Sequence, residues 1–248
     1  MIVADNLSKA FQTKSGKTRN TVQAVQAVSF VAENAAITGL LGQNGAGKST
    51  TLRMLATLLP ADSGTASIDG HDVLKDPLGA KKQLGFMPHN AGIYPRLTAR
   101  ENIMYFARLC GLSKTDSTMR VNELIEQLDM AGFIDRRTAG FSQGQKTKVA
   151  LARALAHRPS TIMLDEPTNG LDVMATRGLR DILRNLASEG HCILFSSHIM
   201  QEVAALCDHI AIIADGRIAM ADSFDAILHA TGKDNLEDAF VKAIGEEA

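Results

Sequence analysis

The chain has 248 residues, 45% of them apolar, which suffices for one or two domains with a large core. Its 26 Lys and Arg residues balance 27 Asp and Glu residues, aromatic residues are scarce, and Trp is absent. This composition argues against a basic nucleic-acid-binding surface and against aromatic stacking on single strands.

The cysteines and the apolar stretches indicate the compartment. Cys110, Cys192 and Cys207 are widely spaced in apolar runs, which predicts reduced, buried thiols in a cytosolic protein. The N-terminal stretch reaches Asp5 too early for a signal peptide. No stretch approaches about 18 uninterrupted apolar residues, so we expect any membrane role to come through a partner.

Short β-branched runs alternate with amphipathic segments, as in an α/β sheet with flanking helices. Asp69-Gly70 and Asp215-Gly216 are typical of hairpin turns, so we expect the sheet to be mixed, with an antiparallel edge. A polar loop is predicted over residues 13–21. The predicted strands are residues 2–4, 27–31, 37–41, 66–69, 84–87, 162–165, 192–196 and 210–214.

The middle of the chain has helical patterns and no good strand. Thr98 and Glu101 form a predicted capping box, and Gly111 closes that helix. A second helix is predicted over residues 119–130, and a third follows Ser142 and stops before Pro159. We expect an inserted helical subdomain here. Residues 235–248 predict a short amphipathic helix.

A glycine-rich loop with the sequence GQNGAGKST lies between an apolar strand and a helix. The match to G-x-x-x-x-G-K-[ST] in this context predicts a phosphate cradle. Lys48 reaches the β- and γ-phosphate oxygens, and the Ser49 hydroxyl is a predicted Mg²⁺ ligand. A shorter match, SGKT at residues 15–18, lacks the first glycine and a following helix. The predicted phosphate-binding residues are Gly42, Gln43, Asn44, Gly45, Ala46, Gly47, Lys48, Ser49 and Thr50.

Two adjacent carboxylates end the strand at residues 162–165. Successive strand residues point to opposite sides, so the two acids have different roles. Asp165 fits a water-mediated Mg²⁺ contact, and Glu166 fits a general base that holds the attacking water. His198 follows another apolar strand, where it can bond the γ-phosphate and orient water.

A second anion site is predicted at the turn FSQGQ. Ser142 and Gln145 form a capping box, so the helix begins with free N–H groups that favour an anion. The glycine loop already provides a phosphate cradle about a hundred residues earlier, and one domain does not need two.

The glycine loop, FSQGQ, LDEPTNGLD and SSH, in this order and spacing, resemble the ATP-binding subunit of an ABC transporter over nearly the whole chain. The resemblance implies a P-loop NTPase cassette in which two subunits face each other head to tail. Ser142, Gly144 and Gln145 of one subunit then close over the γ-phosphate held by the other. The implied cofactors are ATP and Mg²⁺.

The resemblance implies further roles for single residues. Phe11 corresponds to the aromatic side chain that stacks on adenine, and Asp172 to the loop that crosses the subunit boundary. His89 stands where the family usually has Gln, a residue that contacts Mg²⁺ and relays the nucleotide state. Phe141 and Gln143 replace the usual Leu and Gly. These departures, with neighbouring segments, resemble the sodium-efflux and drug-export subgroup.

The expected organisation is a single ATPase domain over residues 1–248. Residues 1–90 and 158–222 are the expected α/β catalytic core, residues 91–157 the helical subdomain, and residues 223–248 a C-terminal helical tail. The helical subdomain and the loop before it are expected to contact helices of a membrane partner.

The predicted function is a Mg²⁺-dependent ATPase subunit on the cytoplasmic face of the membrane. It dimerises on ATP, with itself or a related cassette, and powers a separate permease, with export favoured over import. Three alternatives stay open at this stage. They are a soluble ABC-type ATPase acting on nucleic acid or ribosomes, a small-molecule kinase, and a non-hydrolysing regulatory module.

Overall fold

The computed structural model describes residues 1–15 and 18–245. The glycine and lysine of the SGKT match and the last three residues of the predicted tail lie outside this range. Ten strands are described: β1 (Ile2–Ser15), β2 (Thr18–Ala32), β3 (Ala36–Leu41), β4 (Ser63–Ile68), β5 (His71–Asp72), β6 (Leu84–Met87), β7 (Thr161–Asp165), β8 (Cys192–Ser197), β9 (His209–Ala214) and β10 (Arg217–Ser223).

Nine α-helices are described in the same part of the chain. They are α1 (Lys48–Leu55), α2 (Pro77–Gln83), α3 (Ala99–Leu109), α4 (Lys114–Gln127), α5 (Gln143–Ala154), α6 (Val173–Ser188), α7 (Met200–Leu206), α8 (Phe224–Thr231) and α9 (Leu236–Ala243). Among the described residues, no helix combines the length and the apolar character needed to cross a bilayer.

The strands form two sheets. One has the order β2-β1-β4-β5 and is antiparallel; the other has the order β10-β9-β3-β8-β7-β6. In the larger sheet β10 pairs antiparallel with β9, and the remaining neighbours are parallel. The prediction of a mixed sheet with an antiparallel edge is confirmed, and the second sheet is an addition to it.

Each face of the larger sheet covers a different core. In β8, Ile193 and Phe195 belong to the cluster that packs against helices α3 to α9, whereas Leu194 belongs to the cluster shared with α1 and the smaller sheet. This alternation is expected of strands that are buried on both faces. Because β3, β8 and β7 are parallel neighbours, their carboxyl ends meet at one edge of the sheet, between the two cores.

The predicted caps and turns are confirmed. Thr98 and Ser142 each form both hydrogen bonds of a capping box, and Gly111 follows α3 with φ 95°. Asp69 and Gly70 adopt φ 48° and 82°, and Asp215 and Gly216 adopt 47° and 75°, the left-handed pairs of tight hairpins.

Two local predictions are wrong. The described residues of the polar loop predicted at 13–21 are instead strand residues, since β1 and β2 pair as far as Ser15 and Thr18; residues 16 and 17 lie outside the described range. Residues 11–12 and 20–23 of this hairpin are exposed, so the sequence lacks the apolar alternation that indicates a strand with one buried face. Cys110 is exposed at the end of α3, whereas Cys192 and Cys207 are buried as predicted.

Candidate nucleotide site

The glycine loop follows β3, whose six residues are all buried. A Cβ atom at Gly42 would lie 2.3 Å from the Ile213 carbonyl oxygen, and one at Gly47 would lie 2.6 Å from that of Ala24. Gly45 and Gly47 also adopt left-handed φ values of 86° and 106°. Only glycine combines these conformations with such close backbone contacts. The loop leads directly into α1, which begins at Lys48. The N-terminus of this helix carries partial positive charge, which favours an anion.

Lys48 is the first residue of α1, and its side chain is only 4% exposed. Its ammonium group donates to the carbonyl oxygens of Gly42 at 2.8 Å and Gln43 at 3.1 Å. The same group lies 3.5 Å from Glu166 Oε1. The glycine loop thus surrounds the Lys48 ammonium group, which faces the carboxylate of Glu166, the residue after β7.

Asp165 lies at the carboxyl end of β7 and is 3% exposed. Its Oδ1 accepts hydrogen bonds from Ser49 Oγ at 3.1 Å and from Ser196 Oγ at 2.7 Å. Among the described residues, no group of three or more His, Cys, Asp or Glu side chains is arranged to hold a metal. A serine hydroxyl beside a carboxylate nevertheless fits Mg²⁺, which takes few protein ligands and completes its shell with water and phosphate oxygens.

Glu166 is the centre of the charged cluster. Its Oε1 lies 3.2 Å from His198 Nδ1, and its Oε2 lies 4.0 Å from His89 Nδ1. Its backbone N–H donates to Ser196 Oγ at 3.0 Å. The structure therefore brings together the predicted residues Lys48, Glu166 and His198, and it places His89 on the other side of the same carboxylate.

The FSQGQ turn lies on the helical side of the site, where its Gln143 lines the same cavity as Glu166. Ser142 Oγ accepts from Gln145 N–H at 3.3 Å, and Gln145 Oε1 accepts from Ser142 N–H at 3.1 Å. A Cβ atom at Gly144 would lie 3.1 Å from the Ala175 Cβ, so the turn packs beside the start of α6. In the part of the chain that the structure describes, no hydrogen bond or ion pair joins this turn to the glycine loop.

Asp172 and Phe11 also have defined positions. Asp172 caps α6, where its Oδ1 accepts from Ala175 N–H at 2.8 Å, so it lies close to the FSQGQ turn. Phe11 pairs with Val22 across the β1–β2 hairpin, and both side chains are exposed. That hairpin borders the glycine loop through the Ala24 carbonyl, while the role of Phe11 toward adenine stays a prediction.

Sequence reasoning missed two residues that hold the site together. Ser196 joins Asp165 to the backbone of Glu166, and the only signal for it was its place in the SSH motif. Gly216 donates its N–H to the Ala46 carbonyl at 3.0 Å and accepts from Gln26 N–H at 2.7 Å. The hairpin turn was predicted, but its contact with the glycine loop was not.

A glycine cradle that leads to a buried lysine, with an Asp-Glu pair and a histidine at adjacent strand ends, defines a nucleotide-hydrolysing cassette. The family model described as ABC transporter matches residues 25–169, and the chain belongs to this family as an ATP-binding subunit with ATPase activity.

Individual relatives agree with this assignment. The chain is 39% identical over 245 residues to the ABC transporter ATP-binding protein NatA of Bacillus subtilis, and the match covers 98% of each chain. A solved ATP-binding subunit of an ABC transporter superposes with a TM-score of 0.83 at 27% identity, over 98% of this chain and 99% of the other. The dimeric cassette MJ0796 with bound ADP and Pi has the same fold, with a TM-score of 0.79 at 24% identity over 90% and 98% of the chains.

Proposed function

We propose that two copies of this chain, or this chain and a related cassette, hydrolyse Mg²⁺-bound ATP at sites that lie between them, and that this drives a separate membrane permease. One observation supports the proposal: in the described part of the chain, the two predicted phosphate-binding segments, the glycine loop and the FSQGQ turn, share no hydrogen bond or ion pair. The glycine loop faces Glu166 and His198, while the FSQGQ turn packs beside the start of α6 through Gly144. A head-to-tail partner supplies the missing half to each site.

The residues of the site divide the chemistry between them. Lys48 and the N-terminus of α1 stabilise phosphate charge, and the turn of the second copy does so from the opposite side. Glu166 accepts a proton from the attacking water, and His198 holds the water and the Glu166 carboxylate in position. Mg²⁺, held through Ser49 and Asp165, would supply neutralising charge to the phosphate oxygens.

The surface for the permease lies on the helical region. Tyr94, Tyr105 and Leu109 are 44%, 48% and 67% exposed, and the two tyrosine rings meet edge to face at 5.7 Å between centroids. Tyr105 and Leu109 are four residues apart on α3 and therefore share one face. This exposed apolar face fits helices of a membrane protein, which would hold the chain at the cytoplasmic face.

We also propose the domain boundaries given by the sequence. Helices α3, α4 and α5 fall within residues 91–157 as the helical subdomain, and the strands of the larger sheet fall within residues 1–90 and 158–222, apart from the last residue of β10. Residues 223–248 form the tail, of which α8 and α9 are described. Outward transport is proposed from the resemblance to the efflux subgroup.

Complementation between two inactive variants tests the proposal. Lys48→Met removes the cradle charge and leaves the turn intact. Ser142→Asp keeps a good helix cap but places negative charge opposite the phosphates. Each variant alone should lose at least about tenfold in ATP turnover. An equimolar mixture should regain activity, up to about a quarter of the wild-type rate, because only mixed dimers contain one intact site.

Ser113→Asp is the matched control, since Ser113 caps α4 in the same way and belongs to no part of the site. It should keep the wild-type rate. A mixture no more active than its separate components, or a fully active Ser142→Asp variant, would show that the site does not lie between two copies.

A further inference from the structure

A buried carboxylate near the site has no role in the chemistry described so far. Glu202 lies in the first turn of α7 and is 8% exposed. Among the described residues, no lysine, arginine or histidine forms an ion pair with it. A carboxylate out of water without a cation must be stabilised by hydrogen bonds, so its partners indicate what it is for.

Two hydroxyl groups donate to the same oxygen of Glu202. The Thr168 hydroxyl donates to Oε2, and the Ser197 hydroxyl lies 3.5 Å from the same oxygen. Both donors are buried, with 7% and 2% exposure. The Ser197 hydroxyl also accepts from the N–H of Ile199 at 3.0 Å, which fixes the backbone on both sides of His198.

The two donors lie beside the two reacting groups, Thr168 in the loop after β7 and Ser197 as the last residue of β8. Thr168 follows Glu166 by two residues, and its carbonyl accepts from the N–H of Leu171 at 3.1 Å. Ser197 immediately precedes His198. Ser196 already joins the two strands through Asp165, and Glu202 adds a connection between the last residue of β8 and the loop after β7. Its carboxylate therefore opposes any separation of His198 from Glu166.

Helix α7 has other anchors, so the carboxylate is not needed to hold the helix in place. Val203 and Leu206 belong to the core cluster on that face of the sheet. Replacing the carboxylate should consequently loosen the two loops and leave the fold intact.

We infer that Glu202 is a positioning residue for ATP hydrolysis, which holds Thr168 and Ser197 together and thereby keeps His198 against Glu166. This inference rests on the proposed roles of Glu166 and His198. It assigns no part to Glu202 in binding the nucleotide, because the Lys48 cradle is held by separate contacts.

Thr168→Val tests the inference, because valine has the shape of threonine without the donor. With the full-length protein we expect kcat to fall at least about tenfold, since small displacements of reacting groups slow a reaction strongly. The KM for ATP should stay within about twofold, because the cradle is untouched. Thr168→Ser, which restores the hydroxyl, should restore most of kcat.

Glu202→Leu, which removes the acceptor for both hydroxyls, provides a second route that does not depend on Thr168→Val folding well. It should lower kcat with little change in KM. The double variant should be no slower than the slower single variant, because both changes break one connection. Effects that multiply in the double variant, or a wild-type kcat in both single variants, would overturn the inference.

Thr231→Val is the matched control for a loss of stability alone. Thr231 is buried, and its hydroxyl donates to the Ile227 carbonyl within α8. This variant should lower the melting temperature as Thr168→Val does and keep kcat. An equal loss of kcat in both variants would show that Thr168 acts only through stability.

The result for Glu166→Gln separates this inference from the proposed function. If Glu166→Gln keeps its activity, the assignment of the base fails. If Glu166→Gln is inactive while Thr168→Val and Glu202→Leu are normal, only the role of Glu202 fails.

Discussion

Glu166 combines a strained backbone with three positively charged or protonatable neighbours. Its φ of 51° lies in the left-handed region, which costs a non-glycine residue of order 1–3 kcal/mol and is retained where the surroundings enforce it. Here the Ser196 hydroxyl holds its N–H, and the Asn169 N–H donates to its carbonyl at 3.2 Å. In this backbone conformation the carboxylate faces Lys48, His198 and His89.

Glu166→Gln should therefore separate binding from chemistry. The amide cannot accept a proton, so we expect ATP turnover to fall by roughly 10²- to 10⁴-fold. Lys48 keeps its two carbonyl partners, so ATP affinity should stay within a few-fold, and the ATP-bound dimer should accumulate. Phosphate release and a nucleotide titration measure the two effects.

Glu126→Gln makes the same change at an exposed position of α4 and should leave turnover unaltered. Normal phosphate release by Glu166→Gln would show that another group activates the water.

The charged residues of the candidate site were predictable because each of them follows a local sequence pattern that can be recognised. Lys48 follows a glycine loop, and Glu166 and His198 end parallel strands, whose carboxyl ends meet at one edge. The contacts of Ser196 and Glu202 were not predictable. They depend on which strands are neighbours and on how α7 folds back, and neither is encoded in a local pattern.

At the scale of elements, the β9–β10 hairpin fixes the glycine loop. Its turn residue Gly216 bonds to Ala46 on the loop and to Gln26 on β2. Gly216 adopts φ 75°, and a Cβ atom there would lie 2.8 Å from the Ala24 carbonyl oxygen. The hairpin, β2 and the phosphate loop thus meet at one glycine, and a side chain at that position would separate them.

Gly216→Ala should lower the free energy of unfolding by about 1–3 kcal/mol and should raise the KM for ATP several-fold. Gly232→Ala is the matched control, because Gly232 has φ 64° and a Cβ atom there would meet no atom of a more distant described residue within 4 Å. It should show the strain of a left-handed alanine without any effect on KM. Chemical denaturation and steady-state kinetics measure the two quantities. Equal KM values in the two variants would refute a positioning role for the hairpin.

The sequence predicted those elements whose signals are local. The capping boxes at Thr98 and Ser142 and the hairpin turns at Asp69 and Asp215 act within four residues, and all four are confirmed. The length of β1 and β2 was missed, because residues 11–12 and 20–23, near the paired ends of these strands, are exposed and belong to neither core cluster. The division into two sheets was also missed, since strand order is a property of the whole chain.

At the scale of the whole molecule, the site lies where two hydrophobic cores adjoin. The cluster around α1 supports the glycine loop, and the cluster under α5, α6 and α7 supports the FSQGQ turn and the two loops that Glu202 joins. The glycine loop and the FSQGQ turn are thus held by different cores, and among the described residues no hydrogen bond or ion pair joins them. A glycine loop and an FSQGQ turn that are supported separately suit the proposed site, which is complete only when a second copy binds.

The most direct test is the ATP turnover per chain as a function of protein concentration, with the mass in solution recorded on the same samples. If the ATP site lies between two chains, turnover per chain rises with protein concentration, and activity follows the population at the mass of two chains. Constant, full turnover per chain in samples that stay at the mass of one chain would contradict it.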